Sequence, residues 1–416
     1  MAHAVGQVGG GLMIVFVALL AVRCWQRLGL PGARRLKAPK LPGGRYRPGP
    51  GALAAAFFGV LAIQWCFAVL CWHSLGQTGG MQAFWQHFYQ RFTTAGDSPH
   101  YLLLARQGYV SQGEDAKYIV FYPLYPLLIR LAHGLLAPFG ASWQLAALAV
   151  SQLCWGGAGA AMLALAGQDL DREKAVTATL LMALYPFGFF ALGVYTESLF
   201  LLLSLLCMLA GRRRRWPAAG ALGALAALTR SQGLVLFLPL LYLWLKERRV
   251  QRQGPASLGL ALAPMGFILY LGLNRLLFGD WFAYMEFQAA PPWYQSVRWI
   301  GQNLAQQWDM ARQYPGLAPF IYYSQLALYF VGMALLLWGL FKGARTAWLI
   351  WGGAYQGMSY LPGWLISGSR YMFGCLPLFL LGASLHARWA RAALCAVSAG
   401  FLYYFGVFYM QGQAIM

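Results

Sequence analysis

Charge is scarce in this chain. Only 10% of its 416 residues are charged and only 11 are acidic, against about 25% charged in soluble domains. That scarcity excludes a soluble globular enzyme and a charge-rich disordered chain. The seven cysteines form no CxxC pair and lie in or beside apolar runs. They suit small packed side chains, not a disulfide scaffold or metal ligands. No HxxH or HExxH spacing occurs, so no preformed metal site is expected. A P-loop and a Gly-rich dinucleotide fingerprint are also missing, so no activated donor in the form of a nucleotide bound in a standard fold is expected. Neither asparagine, Asn274 or Asn303, begins a glycosylation sequon. What the chain has is apolar bulk: 60% hydrophobic residues, 16% aromatic, with 17 Trp. The composition is that of an all-α polytopic membrane protein.

The 31 bases outweigh the acids and give a net charge of +20. A nucleic-acid partner is not the reading, because the bases come in short clusters between apolar runs. Arg34, Arg35, Lys37 and Lys40 form one, Arg212 to Arg215 another, and Lys246, Arg248, Arg249 and Arg252 a third. This is the signature of cytoplasmic loops. A span needs roughly 20 apolar residues. Runs read against flanking charge give about twelve spans, near 8–24, 51–74, 143–166, 175–192, 196–211, 216–229, 233–247, 256–275, 317–341, 345–361, 371–386 and 392–411. No cleavable leader is expected, since the basic flank of the first run follows it. The loop 23–50 holds eight bases and no acid, which places it in the cytoplasm and fixes the rest by alternation. Residues 1–50 then form an apolar segment with a basic loop, and 51–416 one membrane domain without a clear internal repeat. The run 118–136 contains Pro123, Pro126, Arg130 and His133. Counting it as a span would put Arg212–Arg215 outside, so it is expected as a helix lying on the external surface. Two long external loops result, about 75–142 and 276–316.

The few polar residues on that face carry the chemistry. Asp97 stands in Gly96-Asp97-Ser98-Pro99-His100-Tyr101. It is placed either to act as a general base toward a hydroxyl or to cap a helix that has Pro99 in its first turn. Glu197 lies between two apolar runs. It is either a functional acid or a first-turn acid stabilised by the helix dipole. Arg230 and Arg370 interrupt apolar sequence on the same side. A guanidinium fork matches a phosphate, and a snorkelling interfacial Arg is the plain alternative. Two such arginines on one face with two acids favour an anionic lipid ligand. Trp281, Tyr284, Trp293, Tyr294, Trp299 and Trp308 crowd the second external loop, as sugar-stacking rings or as an interfacial aromatic belt.

In order along the chain, these motifs resemble the PIG-V type mannosyltransferases. The likeness is carried by Asp97-Ser98-x-His100-Tyr101, by Ala105-x-x-Gly108-Tyr109, and by Phe121-Tyr122-Pro123-Leu124-Tyr125-Pro126-Leu127. It continues in Tyr185-Pro186-Phe187, Tyr195-x-Glu197-Ser198-Leu199-Phe200, Thr229-Arg230-x-x-Gly233 and Ser369-Arg370-Tyr371 followed by Pro377. It runs from about residue 50 to 390, and the Ala-, Leu- and Arg-rich composition without sequons suits a bacterial homologue. The resemblance implies a GT-C glycosyltransferase fold with juxtamembrane helices in the first external loop and an active site on the non-cytoplasmic face. It implies a polyprenyl-phosphate-linked sugar donor and inversion at the anomeric carbon. It makes Asp97 the catalytic base. His100, Tyr101, Tyr122, Tyr125, Glu197, Arg230, Arg370 and Tyr371 fall at matching motif positions as candidate substrate-binding residues. The family commonly has Trp before the catalytic Asp, where this chain has Gly96.

The expected activity is therefore transfer of a hexose, mannose by resemblance, to a glycan, lipid or protein acceptor. Membrane lipids are the other partners, and no cofactor is expected. The chain is placed in a bacterial inner membrane with its site facing the periplasm. A transporter or flippase for lipid-linked sugars, or a non-catalytic subunit of a glycan-assembly complex, is the alternative. A transporter calls for repeat symmetry and ionisable residues near the midplane, and the candidates gather at one face instead.

Overall fold

The computed structural model describes residues 1–32, 45–76, 79–248 and 254–415. Arg34, Arg35, Lys37, Lys40, Arg249 and Arg252, expected in cytoplasmic loops, lie outside the described residues. The described residues form helices and no strand. In chain order these are α1 (Ala2–Leu28), α2 (Pro50–Ser74), α3 (Gly80–Thr94), α4 (Ser98–Gln107), α5 (Leu124–Leu136), α6 (Trp143–Gly167), α7 (Arg172–Ala183), α8 (Glu197–Arg212) and α9 (Trp216–Ala227). Then come α10 (Phe237–Arg248), α11 (Met265–Phe278), α12 (Ala283–Ala289), α13 (Ile300–Gln313), α14 (Tyr323–Phe341), α15 (Thr346–Ser359), α16 (Gly368–Met372), α17 (Pro377–Ala383) and α18 (Arg388–Met410).

Five stretches are long and apolar enough to cross a membrane: Ala2–Leu28, Pro50–Ser74, Trp143–Gly167, Ala318–Phe341 and Arg388–Met410. Two bent pairs bring the number to seven if each counts as one span. The outward side of α1 shows why the surrounding medium is lipid. Ile14, Val15, Val17 and Val22 are all more than half exposed, where a water-facing helix carries polar residues. The chain is a multi-pass integral membrane protein.

The other expected spans fall on shorter pieces. The run 175–192 is α7 followed by a 3-10 turn at Gly188–Leu192, and 371–386 is split between α16 and α17. These pieces sit inside the bundle, where α8 is buried along almost its whole length. A broken helix is tolerated there because neighbours satisfy the backbone groups it frees. The neighbours are visible. Gln64 of α2, fully buried, donates to the Ala183 carbonyl at 2.6 Å, just where Pro186 ends α7. Gln152 of α6 donates to the Leu192 carbonyl at 3.1 Å. Leu124 N–H reaches across to the Leu228 carbonyl at 3.0 Å.

α6 lies at the centre, packed on α2, α5, α7 and α8. α1 packs on α13, α14 and α15. Its approach to α13 is backbone to backbone: a Cβ on Gly6 would stand 2.3 Å from the Gly301 carbonyl oxygen. The run 118–136 departs from a single surface helix. A turn of 107° separates Glu114–Val120 from Leu124–Phe139. Pro123 lacks an N–H and pushes Tyr122 out of helical geometry. The second piece carries an exposed stripe of Leu127, Leu131 and Leu135. On its inner side Arg130 donates to the Ala105 and Arg106 carbonyls at 2.7 and 3.0 Å. That cation closes the C-terminus of α4, where orphan carbonyls and the helix dipole both favour it.

Candidate active site

Asp97 stands at the N-terminus of α4 but does not cap it, since its side chain accepts no hydrogen bond from that helix. It turns instead to a residue 273 positions away. Arg370 Nη2 donates to Asp97 Oδ2 at 2.5 Å. Arg370 Nε also lies 2.7 Å from Glu197 Oε1, and Arg230 Nη1 lies 3.1 Å from the same oxygen. The four charges form one chain, Asp97–Arg370–Glu197–Arg230, with a formal sum of zero. Glu197 is fully buried, and both arginines are at least nine-tenths buried. Snorkelling into lipid headgroups is thereby ruled out for Arg230 and Arg370. Glu197 is indeed a first-turn acid of α8, so the helix dipole and the two guanidiniums act on it together. Its contacts are ion pairs at close range without aligned N–H donors, and neither carboxylate oxygen accepts a hydrogen bond. The arrangement holds charge without saturating it.

Three of the four line a cavity of about 480 Å³. Asp97, His100, Tyr101, Tyr122, Arg230, Arg370 and Tyr371 all line it. Glu197 stands behind the arginines. Tyr125 does not reach the cavity: fully buried, it shares a hydrogen bond of 2.7 Å with Ser151 and meets the Tyr101 ring edge-on at 5.3 Å. It backs the wall that Tyr101 presents. Tyr122 stacks on Tyr270 at 4.1 Å. His100 lies over the Tyr118 and Phe121 rings at 4.5 and 5.3 Å. Burial lowers its imidazole below the ordinary value, against the opposing pull of the Asp97 carboxylate. Burial likewise raises the Tyr101 phenol, which stays protonated.

Gly96 explains the departure from Trp at the position before Asp97. Its φ is +58°, and a Cβ there would stand 2.7 Å from the Tyr195 hydroxyl. Only glycine suits both the left-handed backbone and that close approach. Tyr195 Oη donates to the Ala95 carbonyl at 2.9 Å, and Arg370 lies over the Tyr195 ring at 5.2 Å. Tyr195 therefore places both the loop and the guanidinium, a role its motif position did not reveal. Arg91 was also missed. It donates from Nε to the Tyr409 carbonyl at 2.6 Å and from Nη2 to the Gln413 carbonyl at 3.2 Å, which seats residues 412–415 along the cavity wall. Its partners are more than 300 residues distant in sequence, and no local signal announces them.

A second, apolar groove lies beside the cavity. Tyr185, Phe187, Leu328, Val331, Phe379 and Phe401 line it among other residues, and its volume is about 220 Å³. The helix α16 divides the two spaces. Arg370 and Tyr371 face the polar cavity while Met372 faces the groove. Tyr185 ties the partition down by donating to the Ser369 carbonyl at 2.7 Å. Among the described residues no three His, Cys, Asp or Glu side chains stand together as a metal site.

No protein-family model matches the chain. Over 146 residues it is 34% identical to GPI alpha-1,6-mannosyltransferase 2 of Rattus norvegicus, and equally to that of Mus musculus. The match takes in 33% of this chain and 29% of each relative. The chain thus spans less than a third of the length of the mannosyltransferases it matches.

Proposed function

We propose that the chain is a membrane mannosyltransferase. In this reading it moves mannose from a polyprenyl-phosphate carrier to a hydroxyl of a glycan, lipid or protein acceptor, on the non-cytoplasmic face and with inversion. The partial identity to two mannosyltransferases supports the sugar. The observation that carries the chemistry is the Asp97–Arg370–Glu197–Arg230 chain, three of whose members line a cavity. Asp97 is about one quarter exposed there, within reach of a substrate. Its carboxylate takes the acceptor proton as the oxygen attacks the anomeric carbon, and the lipid phosphate leaves with the bonding pair. Proton uptake changes the local charge. With Asp97 neutral, two guanidiniums face one carboxylate, and the site gains one positive charge as the leaving phosphate gains a negative one. That is stabilisation aimed at charge that develops during the reaction. The groove across α16 supports a lipid-linked donor, since an isoprenoid chain needs an apolar path that begins next to the phosphate site. The GT-C architecture and a bacterial inner-membrane location belong to this same reading.

The test is release of free polyprenyl phosphate from a short-chain polyprenyl-phosphate mannose, using purified protein and a panel of acceptors. Release that requires both an acceptor and Asp97 is the expected result. Unchanged release from the Asp97→Asn protein would falsify the base assignment. Saturable donor binding with no release on any acceptor would replace the transferase with a carrier.

A further inference from the structure

The end of the bundle away from Asp97 is crowded with charge, and its described acids are all engaged. Asp169 is held by Arg212 and Arg345, Asp171 by Lys174, Glu173 by Arg388 and Arg391, and Glu247 by Arg214. The same helix ends also carry Arg172, Arg213, Arg215 and Lys246, so positive charge is left over. Lys342, exposed just past the C-terminus of α14, belongs to that surplus. No acid among the described residues pairs with it.

Lys342 lines a small cavity of about 60 Å³ together with Lys174, Trp338, Ser384 and His386. Asp171 accepts from the Lys174 N–H and from its Nζ, both at 2.9 Å, which fixes the stem of that lysine. The His386 ring stands steeply against Trp338, with centroids 6.4 Å apart. The cavity shares its helices with the apolar groove. On α14, Leu328, Val331 and Leu335 line the groove, and Trp338 and Lys342 line the cavity. Steps of three and four residues keep all five on one face of the helix. On α7, Leu181 lines the groove and Lys174, two turns earlier, the cavity. From Leu335 to Lys342 is only about 10 Å along the axis. The lips of the groove open to the bilayer, for Val331, Val397 and Phe401 are about half exposed. Trp389, just after His386, is 77% exposed, in the manner of a ring at headgroup level.

We propose that this cavity binds the phosphate of an anionic phospholipid, with one acyl chain lying along the adjoining end of the groove. Two ammonium groups and an imidazole offer donors to the phosphate oxygens, and the described acids nearby are already paired. A basic pocket between membrane helices is the setting in which anionic headgroups are held. The occupant is a lipid because the helix faces that carry the bases continue as an apolar path open to the bilayer. Charge selects among lipids: phosphatidylcholine brings its own cation, which the lysines repel, and phosphatidylglycerol does not. The inference does not rest on the transferase reading. The isoprenoid chain of the proposed donor starts at the α16 end of the groove, and the phospholipid enters from the other.

The test titrates delipidated protein in detergent with phosphatidylglycerol and with phosphatidylcholine of the same acyl chains. Bound lipid is read by native mass spectrometry, and the thermal midpoint is measured without lipid. Wild type is expected to hold phosphatidylglycerol more tightly than phosphatidylcholine. Lys342→Gln is expected to weaken phosphatidylglycerol about fivefold with an unchanged midpoint, since that side chain is exposed. Arg213→Gln removes the same charge from an exposed position outside the cavity and is expected to bind as wild type. Equal affinity for the two lipids overturns the proposal. Equal weakening by Lys342→Gln and Arg213→Gln overturns it too, leaving a diffuse attraction to an anionic surface. So does glycerol 3-phosphate that binds as tightly as phosphatidylglycerol, which makes the ligand a soluble phosphate. Release of polyprenyl phosphate enters none of these readings, so failure of the transferase reading leaves the lipid site standing.

Discussion

The two ends of α8 carry the same chemistry to different ends. At its N-terminus, Glu197 meets Arg370 and Arg230. About 22 Å away, given 1.5 Å per residue, Arg212 at its C-terminus meets Asp169. There Arg212 grips both Asp169 oxygens, at 2.5 and 2.7 Å, and Arg345 pairs with Asp169 Oδ1 as well. Asp169 is fully buried and its oxygens are saturated by a fork that fits them. This end also gathers Arg23, which donates to the Leu340 carbonyl at 2.7 Å and to Thr346 at 3.2 Å, tying α1 to the α14–α15 turn. At the N-terminal end the acid is as deeply buried, but its oxygens accept no hydrogen bond. The neighbouring acid, Asp97, opens onto a cavity. A closed ion pair locks helices, whereas an open one beside a void leaves charge available to a substrate. Identical residue types are thus sorted by how completely their partners satisfy them.

The comparison can be broken from either end. The largest effect is expected at Asp97. Asp97→Asn should lower transfer by about 100- to 10,000-fold while the thermal midpoint stays near wild type, as polyprenyl-phosphate release and a melting curve will show. Next comes Asp169→Asn, which leaves two guanidiniums facing no carboxylate. Breaking a buried pair costs about 3–5 kcal/mol, so unfolding should occur at markedly lower denaturant while activity per folded molecule is retained. If transfer falls as steeply as at Asp97, the division between a closed and an open end fails.

Gly96→Ala sharpens the comparison by disturbing only the loop. It forces a Cβ toward Tyr195 at positive φ, costing about 1 kcal/mol or more. Adding Tyr195→Phe, which removes the contacted hydroxyl, should recover part of that loss in a chemical-denaturation series. The smallest effect concerns His100. Its folded-state affinity for protons is lowered by burial, so the unfolded chain protonates first as pH falls. Stability is therefore full above the ordinary histidine value of about 6.5 and declines below it. His100→Phe keeps a ring against Tyr118 and Phe121 and should flatten the thermal midpoint between neutral and mildly acid pH.

How legible each part was follows from where its causes lie. The helices α1, α2, α6 and α18 were readable because a long apolar run has one outcome in lipid. The broken helices were readable only as apolar stretches. What ends α7 at Ala183 is partly Pro186, which is local, and partly Gln64, which is not. The surface helix expected from 118 begins instead at Leu124, after the turn that Pro123 imposes. Asp97, Glu197, Arg230 and Arg370 were legible one at a time, because an ion in an apolar chain is expensive and needs a reason. Arg91 and Tyr195 were not, because their work is to hold other segments and shows only when those segments arrive.

The sequence by itself determined that this protein lives in a membrane, that its chain is helical, and that a handful of ions stand out against an apolar background. Those follow from composition and local pattern, which act at every residue alike. Only the tertiary structure decided that Asp97 reaches Arg370 and not its own helix, and that the two arginines share one acid. It also decided that Tyr294 and Trp364 stack on each other. Each of these is a contact between residues far apart in the chain, set by how helices pack, and no local rule contains it.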